Sequence, residues 1–307
     1  YLGCGGGEDT CMDIKTIVTH DGGFHADDVF AVATVLLTFP AGTEYRIIRS
    51  RDSDFMATAD FVLDVGGVYD PLKGRFDHHQ TGGSGGYENT IPYASFGLVW
   101  KTYGKQICGN ADIAESIAEK IVMPIDAIDN GVEICTPTFP GVRSFSISDY
   151  LCSYWIDEHQ KESDTLVVFE EVVMLAKNLL SRMVEKARHI AEEEKEVLAF
   201  YGQSDDKRII VLPRSMAWEK ILVSKPEPQF VIYPSDDQTR FRAKAVRKTL
   251  GSFETKVSFP ESWAGKVDGD LAEITGVPDA VFCHNKRFLV VAKSLEGVQA
   301  LVKKALV

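Results

Sequence analysis

A chain of 307 residues, 45% of them apolar, can fill two hydrophobic cores, and 33 basic against 45 acidic residues leave a net charge of -12 that excludes broad non-specific binding to duplex nucleic acid, though not a local basic patch. Cys4, Cys11, Cys108, Cys135, Cys152 and Cys283 form no C-x-x-C pair, so their spacing suggests neither a structural zinc site nor a disulfide framework, and a reducing compartment fits best. The longest apolar run, Val29 to Phe39, falls well short of the roughly 20 residues needed to span a bilayer, so no membrane partner is expected.

Residues 1–11 are Gly-rich and lack both the cationic and the apolar segments of a targeting signal. They are expected to be a disordered tail or an appended extension ahead of Met12, and the expected location is the cytoplasm, with mitochondrion or nucleus as alternatives. From Ile14 to His20 a β-branched run reads as a strand. After Gly22-Gly23 the period changes, and Val29, Val32, Ala33, Leu36 and Leu37 recur at helical spacing. Asp27-Asp28 falls at the helix entrance, where unpaired amides favour carboxylates. His20 therefore lies at the carboxyl end of a strand, where open α/β sheets place their ligands.

Further strands are expected at Tyr45 to Arg49 and Phe61 to Val65, spaced for βαβ connections and a mostly parallel sheet. Asp64, in an otherwise apolar run, is costly to bury unless it is paired. A fourth strand leads into Asp77-His78-His79, followed by Gly-rich residues 82–86, which read as a mobile flap. Helices are expected over Tyr93 to Cys108 and Ala111 to Ile128, the second kinked near Pro124, with Asp126 and Asp129 on one face. A long helix runs from Thr165 to Tyr201, apolar in its first half and charged in its second. Beyond it, β-type runs at Ile209 to Leu212, Phe230 to Tyr233, Ala280 to His284 and Phe288 to Ala292 precede an amphipathic helix from Leu295, an α+β pattern. The expected division is a metal-binding catalytic domain over residues 12–160, a helical linker over 161–206 and a substrate-binding domain over 207–307.

His20, His25, His78 and His79 are four of the seven histidines, and they share loops with Asp27, Asp64 and Asp77, with Asp126 and Asp129 further on. One sheet edge could gather them. Mixed imidazole and carboxylate ligands suit divalent ions such as manganese, and two such ions about 4 Å apart support phosphoester hydrolysis. His159 and His189 lack such company and read as surface residues; Asp21 and Asp28 read as turn and cap residues. In the C-terminal part Arg240, Arg242 and Lys244 alternate with apolar residues, and Arg247 and Lys256 follow. This row suits a phosphate backbone, or equally a solvated edge strand guarded by its charges.

These motifs carry a resemblance. Asp77-His78-His79 with the upstream His/Asp cluster, Asp64 and Asp129 is similar to the four-motif pattern of the DHH phosphoesterase superfamily. More narrowly, the run Thr19 to Asp28, the run Asp64 to Pro71 and Ile125 to Gly131 resemble the MYG family of melanocyte-proliferating-gene-like proteins, as do Gly251-Ser252-Phe253-Glu254, Phe259 to Gly265 and Phe282 to Phe288. The match covers nearly everything from Met12 onward.

The resemblance implies an α/β fold, with a mostly parallel-sheet DHH-type N-terminal domain, a long linking helix and a smaller α+β C-terminal domain. It implies a metal-dependent hydrolase with two divalent cations, manganese first and magnesium or cobalt as alternatives, and members of the family are described as 3'-to-5' RNA exonucleases. The implied ligands are His20, His25, Asp27, Asp64, His78 and Asp129, with Asp64 bridging. Asp77, His78 and His79 form the catalytic group, His79 being a ligand or a substrate-side donor, and His284 lies where relatives bind substrate. One departure is that the acids expected four and six residues after the first His are represented by His25 and Asp27, one position later. That shift leaves open which residue binds which ion, and the choice between Asp126 and Asp129 stays open too. The expected partner is RNA or an oligonucleotide, with a homodimer possible. The alternatives are hydrolysis of pyrophosphate or a dinucleotide, or a metal-bound regulatory protein without turnover.

Overall fold

Buried β-branched residues build the first strand, β1 (Lys15–Thr19), and the helical recurrence of Val29, Val32, Ala33 and Leu36 builds α1 (Ala26–Thr38) in the computed structural model. The structure describes residues 14–154 and 162–306. Residues 1–11, His159 and the expected boundary between residues 160 and 161 lie outside them. Next come β2 (Tyr45–Arg49), α2 (Ser53–Thr58), β3 (Phe61–Leu63), β4 (Tyr69–Asp70), β5 (Arg75–Phe76) and α3 (Ser95–Cys108). Then follow α4 (Ala111–Ile117), α5 (Met123–Asp129), α6 (Ile147–Cys152) and the long α7 (Glu162–Gln203).

The chain divides into two compact units between Arg188 and His189, inside α7. The first holds a sheet of order β2-β1-β3-β5-β4, parallel except where β4 meets β5. From β1 the chain steps to β2 on one side and to β3 on the other, so the end of β1 is a topological switch point. Phe30 of α1 and Phe96 of α3 lie fully buried with ring centroids 5.2 Å apart, and α7 buries Phe169, Val172, Val173, Ala176 and Leu180.

Two local departures from the sequence reading have physical causes. Strand β3 ends at Leu63 and not at Val65, because Asp64 takes a left-handed backbone with φ 56, which breaks the ladder. The helix expected over Ala111 to Ile128 is interrupted by a π-helical turn, Ala118–Val122, just before Pro124. Pro124 has no amide to donate, and the wider turn accommodates the gap.

The second unit contains β6 (Ile209–Val211), α8 (Glu219–Val223), β7 (Phe230–Pro234), β8 (Phe241–Ala245), α9 (Asp268–Thr275), β9 (Ala280–Cys283), β10 (Leu289–Ala292) and α10 (Leu295–Ala305). Its sheet order is β6-β7-β8-β10-β9, with only β6 and β7 parallel. Both faces are covered. Phe230, Ile232, Ala243, Phe259 and Leu301 share one core, and Val197, Trp218, Leu222, Val231 and Tyr233 share the other. Strand β8 pairs on both sides, which corrects the edge-strand alternative for Arg242 and Lys244.

Candidate metal centre

Parallel strands send their carboxyl ends to one rim, so the residues after β1, β3 and β5 meet although they are distant in the chain. His20 follows β1, Asp64 follows β3, and Asp77-His78-His79 follows β5. Asp129 comes from the last turn of α5. Nε2 of His20 lies 3.4 Å from Asp64 Oδ2 and 3.2 Å from Asp28 Oδ2. Nε2 of His78 lies 3.4 Å from Asp64 Oδ1 and 3.2 Å from Asp129 Oδ2. Asp64 thus faces both imidazoles, one with each oxygen. His79, much more exposed, lies tilted beside His78 with ring centroids 4.2 Å apart, and its Nδ1 lies 3.5 Å from Asp64 Oδ1.

Two sets of ligand atoms are close enough to hold a cation, each with its atoms within 4.8 Å of one another: Asp64, His78 and His79, and Asp27, His78 and Asp129. The chemistry of the donors supports that fit. His78, common to both sets, has its Nε2 buried with no hydrogen bond among the described residues. Carboxylate oxygens mixed with imidazoles suit a divalent cation.

The electrostatics of these side chains point the same way. Burial alone would lower the His78 imidazole, but the nearby Asp129 and Asp64 carboxylates and the charge of Asp27 push it up to about 11. His20, which burial also lowers, is raised by Asp64 and Asp28. Asp64 is held well below the usual carboxylate range because His20 and His78 outweigh its burial. Burial and the neighbouring charges of Asp64, Asp129 and Asp126 raise Asp27. Protons here compensate a crowd of carboxylates, a task a divalent cation would take over.

The remaining N-terminal candidates occupy different places. Asp27 is fully buried, accepting the amides of Ser95 at 3.0 Å and Phe96 at 2.7 Å from the first turn of α3. Asp126 accepts Gly97 N at 3.0 Å and the Tyr87 hydroxyl at 2.8 Å, whereas Asp129, three residues on, is the one that faces His78. Asp77 accepts the amides of Gly67, His78 and His79 and lies 2.7 Å from Nδ1 of His79, so it shapes the loop and orients that ring. His25 lines the same cavity of about 880 Å³ as His20, His78 and Asp129, its ring 5.9 Å from that of His20. Asp28 caps α1 through Oδ1, accepting His25 N at 2.8 Å, while its other oxygen faces His20. The capping pattern signals only the first of these roles.

In the second unit the candidate substrate residues are scattered in environment. Arg240 is exposed just before β8, and Arg242 and Lys244 are half-buried on it, with Lys244 Nζ 5.9 Å from the Tyr233 ring centroid. The Arg247 guanidinium lies 5.6 Å from the centroid of Phe253. Lys256 donates to the carbonyls of Leu222, at 3.2 Å, and Lys225, so its ammonium is tied to backbone. His284 accepts the Lys286 amide at 3.0 Å and packs on Phe288. His189, read as a surface residue, is exposed with Glu193 3.4 Å away. Among the described residues no helix is long and apolar enough to cross a membrane.

The family model MYG1_exonuc, described as Uncharacterised protein family (UPF0160), matches residues 16–306. The MYG1 protein of Dictyostelium discoideum is 31% identical over 96% of this chain and 97% of its own length. The human protein named MYG1 exonuclease is 26% identical over 94% of this chain and 85% of its own length. Among solved structures, a pGpG-specific phosphodiesterase of Vibrio cholerae aligns over 95% of this chain and 97% of its own at 12% identity, with a TM-score of 0.29, a likeness too weak to carry an argument.

Proposed function

The chain belongs to the MYG1 family, and from that premise we propose that it is a metal-dependent phosphoesterase acting on RNA or short oligonucleotides, removing nucleotides from the 3' end. The observation that carries this reading is the buried Nε2 of His78, which lies between the carboxylates of Asp64 and Asp129 and makes no hydrogen bond among the described residues. Two divalent cations, manganese first with magnesium or cobalt as alternatives, would lower the pKa of water and neutralise charge developing on the phosphate.

The residues that would hold them are His20, His25, Asp27, Asp64, His78 and Asp129, and Asp64 would serve both because its two oxygens face different imidazoles. Asp126 positions α5 and leaves the ligand role to Asp129, since its own oxygens already accept Gly97 and Tyr87. Asp77 beside Nδ1 of His79 leaves Nε2 of that exposed ring as the site that exchanges a proton with the leaving oxygen. Residues 12–160 form the catalytic domain in this reading, and 161–206 the helical link. Residues 207–307 bind substrate, with Arg240, Arg242, Lys244 and Arg247 contacting phosphates and His284 a base or sugar.

The test pairs metal analysis of freshly purified protein with labelled RNA oligonucleotides of graded length beside pyrophosphate, in the presence of manganese. Single nucleotides released from the 3' end support the proposal, and phosphate from pyrophosphate alone replaces it with small-molecule hydrolysis. A metal-bound protein inactive on every phosphoester tried would make it a regulatory protein instead.

A further inference from the structure

Arg51 is the one lysine or arginine among the residues lining the cavity over His20, Asp64, His78 and Asp129. The other ionisable side chains that line it are imidazoles and carboxylates, a poor surface for an anionic substrate. Arg51 follows β2, whose last residue Arg49 pairs with Thr19 at the end of β1, so the strand beside His20 delivers the guanidinium to the same rim. Its Nε donates to Asp21 Oδ1 at 3.1 Å, and among the described residues neither Nη group has an acceptor.

Gly22 adds a second, independent observation. A Cβ at that position would stand 3.4 Å from Nδ1 of His20 and 3.8 Å from Nη2 of Arg51. A Cβ there would be in ordinary contact with both, so the missing side chain leaves the approach to the unpaired end of the guanidinium clear. The His20 nitrogen nearest that position is buried and makes no hydrogen bond among the described residues. A structural role explains the arrangement poorly, because the Arg51 and Asp21 side chains are 63% and 51% exposed, and ion pairs at such exposure contribute little to stability. A planar fork with two free donors is, however, the side chain best matched to phosphate oxygens.

We propose that Arg51, aimed by Asp21, binds a non-bridging phosphate oxygen of the substrate, and that Gly22 keeps open the space this oxygen enters. The role rests on the phosphoesterase reading above, but it concerns phosphate binding and can be measured apart from turnover. The ligand class is a nucleoside phosphate or the phosphorylated end of an oligonucleotide, and the residue pair belongs to no other element of the metal centre.

The experiment titrates the whole manganese-loaded chain with adenosine 5'-monophosphate and with inorganic phosphate by calorimetry, for wild type, Arg51→Ala, Arg51→Lys and Gly22→Ala, with metal content and melting temperature recorded for each. Arg51→Ala is expected to weaken binding about ten- to one-hundred-fold, the range for a hydrogen bond to a charged group. Arg51→Lys recovers only part of the loss, since it keeps the charge without the fork, and Gly22→Ala weakens binding with Arg51 intact. Metal content stays constant throughout. The assignment is overturned by unchanged affinity in Arg51→Ala, by metal loss in step with affinity, or by a wild type that binds neither probe. Hydrolysis assays separate the two proposals. A wild type inactive on every phosphoester, yet binding nucleotide through Arg51, removes the phosphoesterase reading alone. An active wild type matched by Arg51→Ala in both KM and nucleotide binding removes only the role of Arg51.

Discussion

Asp27 Oδ1 accepts the backbone amide of Phe96 at 2.7 Å, tying the first turn of α1 to the first turn of α3 with no solvent access. Its second oxygen takes the amide of Ser95 at 3.0 Å, so one carboxylate satisfies two helix-terminal donors while remaining within ligand distance of His78 and Asp129. Asp27→Ala would leave both amides buried without partners, and a loss of about 1–3 kcal/mol is expected. Asp27→Asn keeps one acceptor and should lose less stability, but equally much metal. Urea unfolding and metal analysis of the two variants check this, and an alanine variant as stable as wild type would dissociate Asp27 from the frame.

Metal binding should strengthen as pH rises. In the metal-free protein His78 has its pKa pushed up from 6.5 to about 11 by Asp129, Asp64 and Asp27 in spite of its burial. Its contribution to metal-free stability is therefore complete below 6.5 and fades as pH climbs through about 11. A bound cation needs the neutral ring, so cation and proton compete for one nitrogen. Manganese titrations are expected to show tighter binding at about pH 8.5 than at about pH 6, with proton release visible as a dependence of the heat on the buffer's ionisation enthalpy. Affinity that is level with pH would mean that His78 is not displaced from its proton.

Much of this centre is readable in the amino-acid order because a parallel sheet converts strand endings into neighbours. His20 and Asp64 each follow an apolar run, and the helical recurrence from Val29 to Leu36 fixes how the chain returns after β1. What the order conceals is orientation. Asp126 and Asp129 are equivalent candidates on a helical face until Gly97 and Tyr87 are seen to occupy the first. Strands of two residues, Tyr69–Asp70 and Arg75–Phe76, are too short to show a period, and Pro124 signals a kink without signalling that it takes the form of a π-turn. Arg51 sits in a loop whose sequence offers no pattern, and only the convergence of strand ends gives it meaning.

Gly97 marks where the frame tolerates no change. A Cβ there would fall 1.8 Å from Asp126 Oδ2 and 2.8 Å from the Tyr87 hydroxyl, displacing the clamp that seats α5 and with it Asp129. Gly97→Ala is expected to cost about 1–3 kcal/mol by overpacking and to lower metal content together with stability. Gly202, in α7 with nothing within 4 Å of its Cβ position, is the contrasting case. Alanine there should stabilise by up to about 1 kcal/mol through helix propensity. Melting curves of both variants check the contrast, and a Gly97→Ala protein with wild-type metal content and stability would remove the clamp from the account.

Lys256 and Arg242 differ in what surrounds their charges, and a salt titration should separate them. The Lys256 ammonium donates to the carbonyls of Leu222 and Lys225, and burial lowers its pKa. Its role is to join the loop after α8 to the segment around residue 256. Arg242, a half-buried residue of β8, makes no side-chain hydrogen bond among the described residues. If the second unit holds single-stranded nucleic acid, Arg242→Ala should reduce the slope of log affinity against log salt by about 0.7, the share of one phosphate contact. Lys256→Ala should leave that slope unchanged and instead cost stability of about 1 kcal/mol for the hydrogen bonds it loses. Fluorescence anisotropy with a labelled oligonucleotide at several salt concentrations, run beside urea unfolding, measures both quantities. A slope that falls for Lys256→Ala and not for Arg242→Ala would reverse the assignment, because it would place the phosphate on the ammonium now bound to backbone and leave the β8 cation without a ligand.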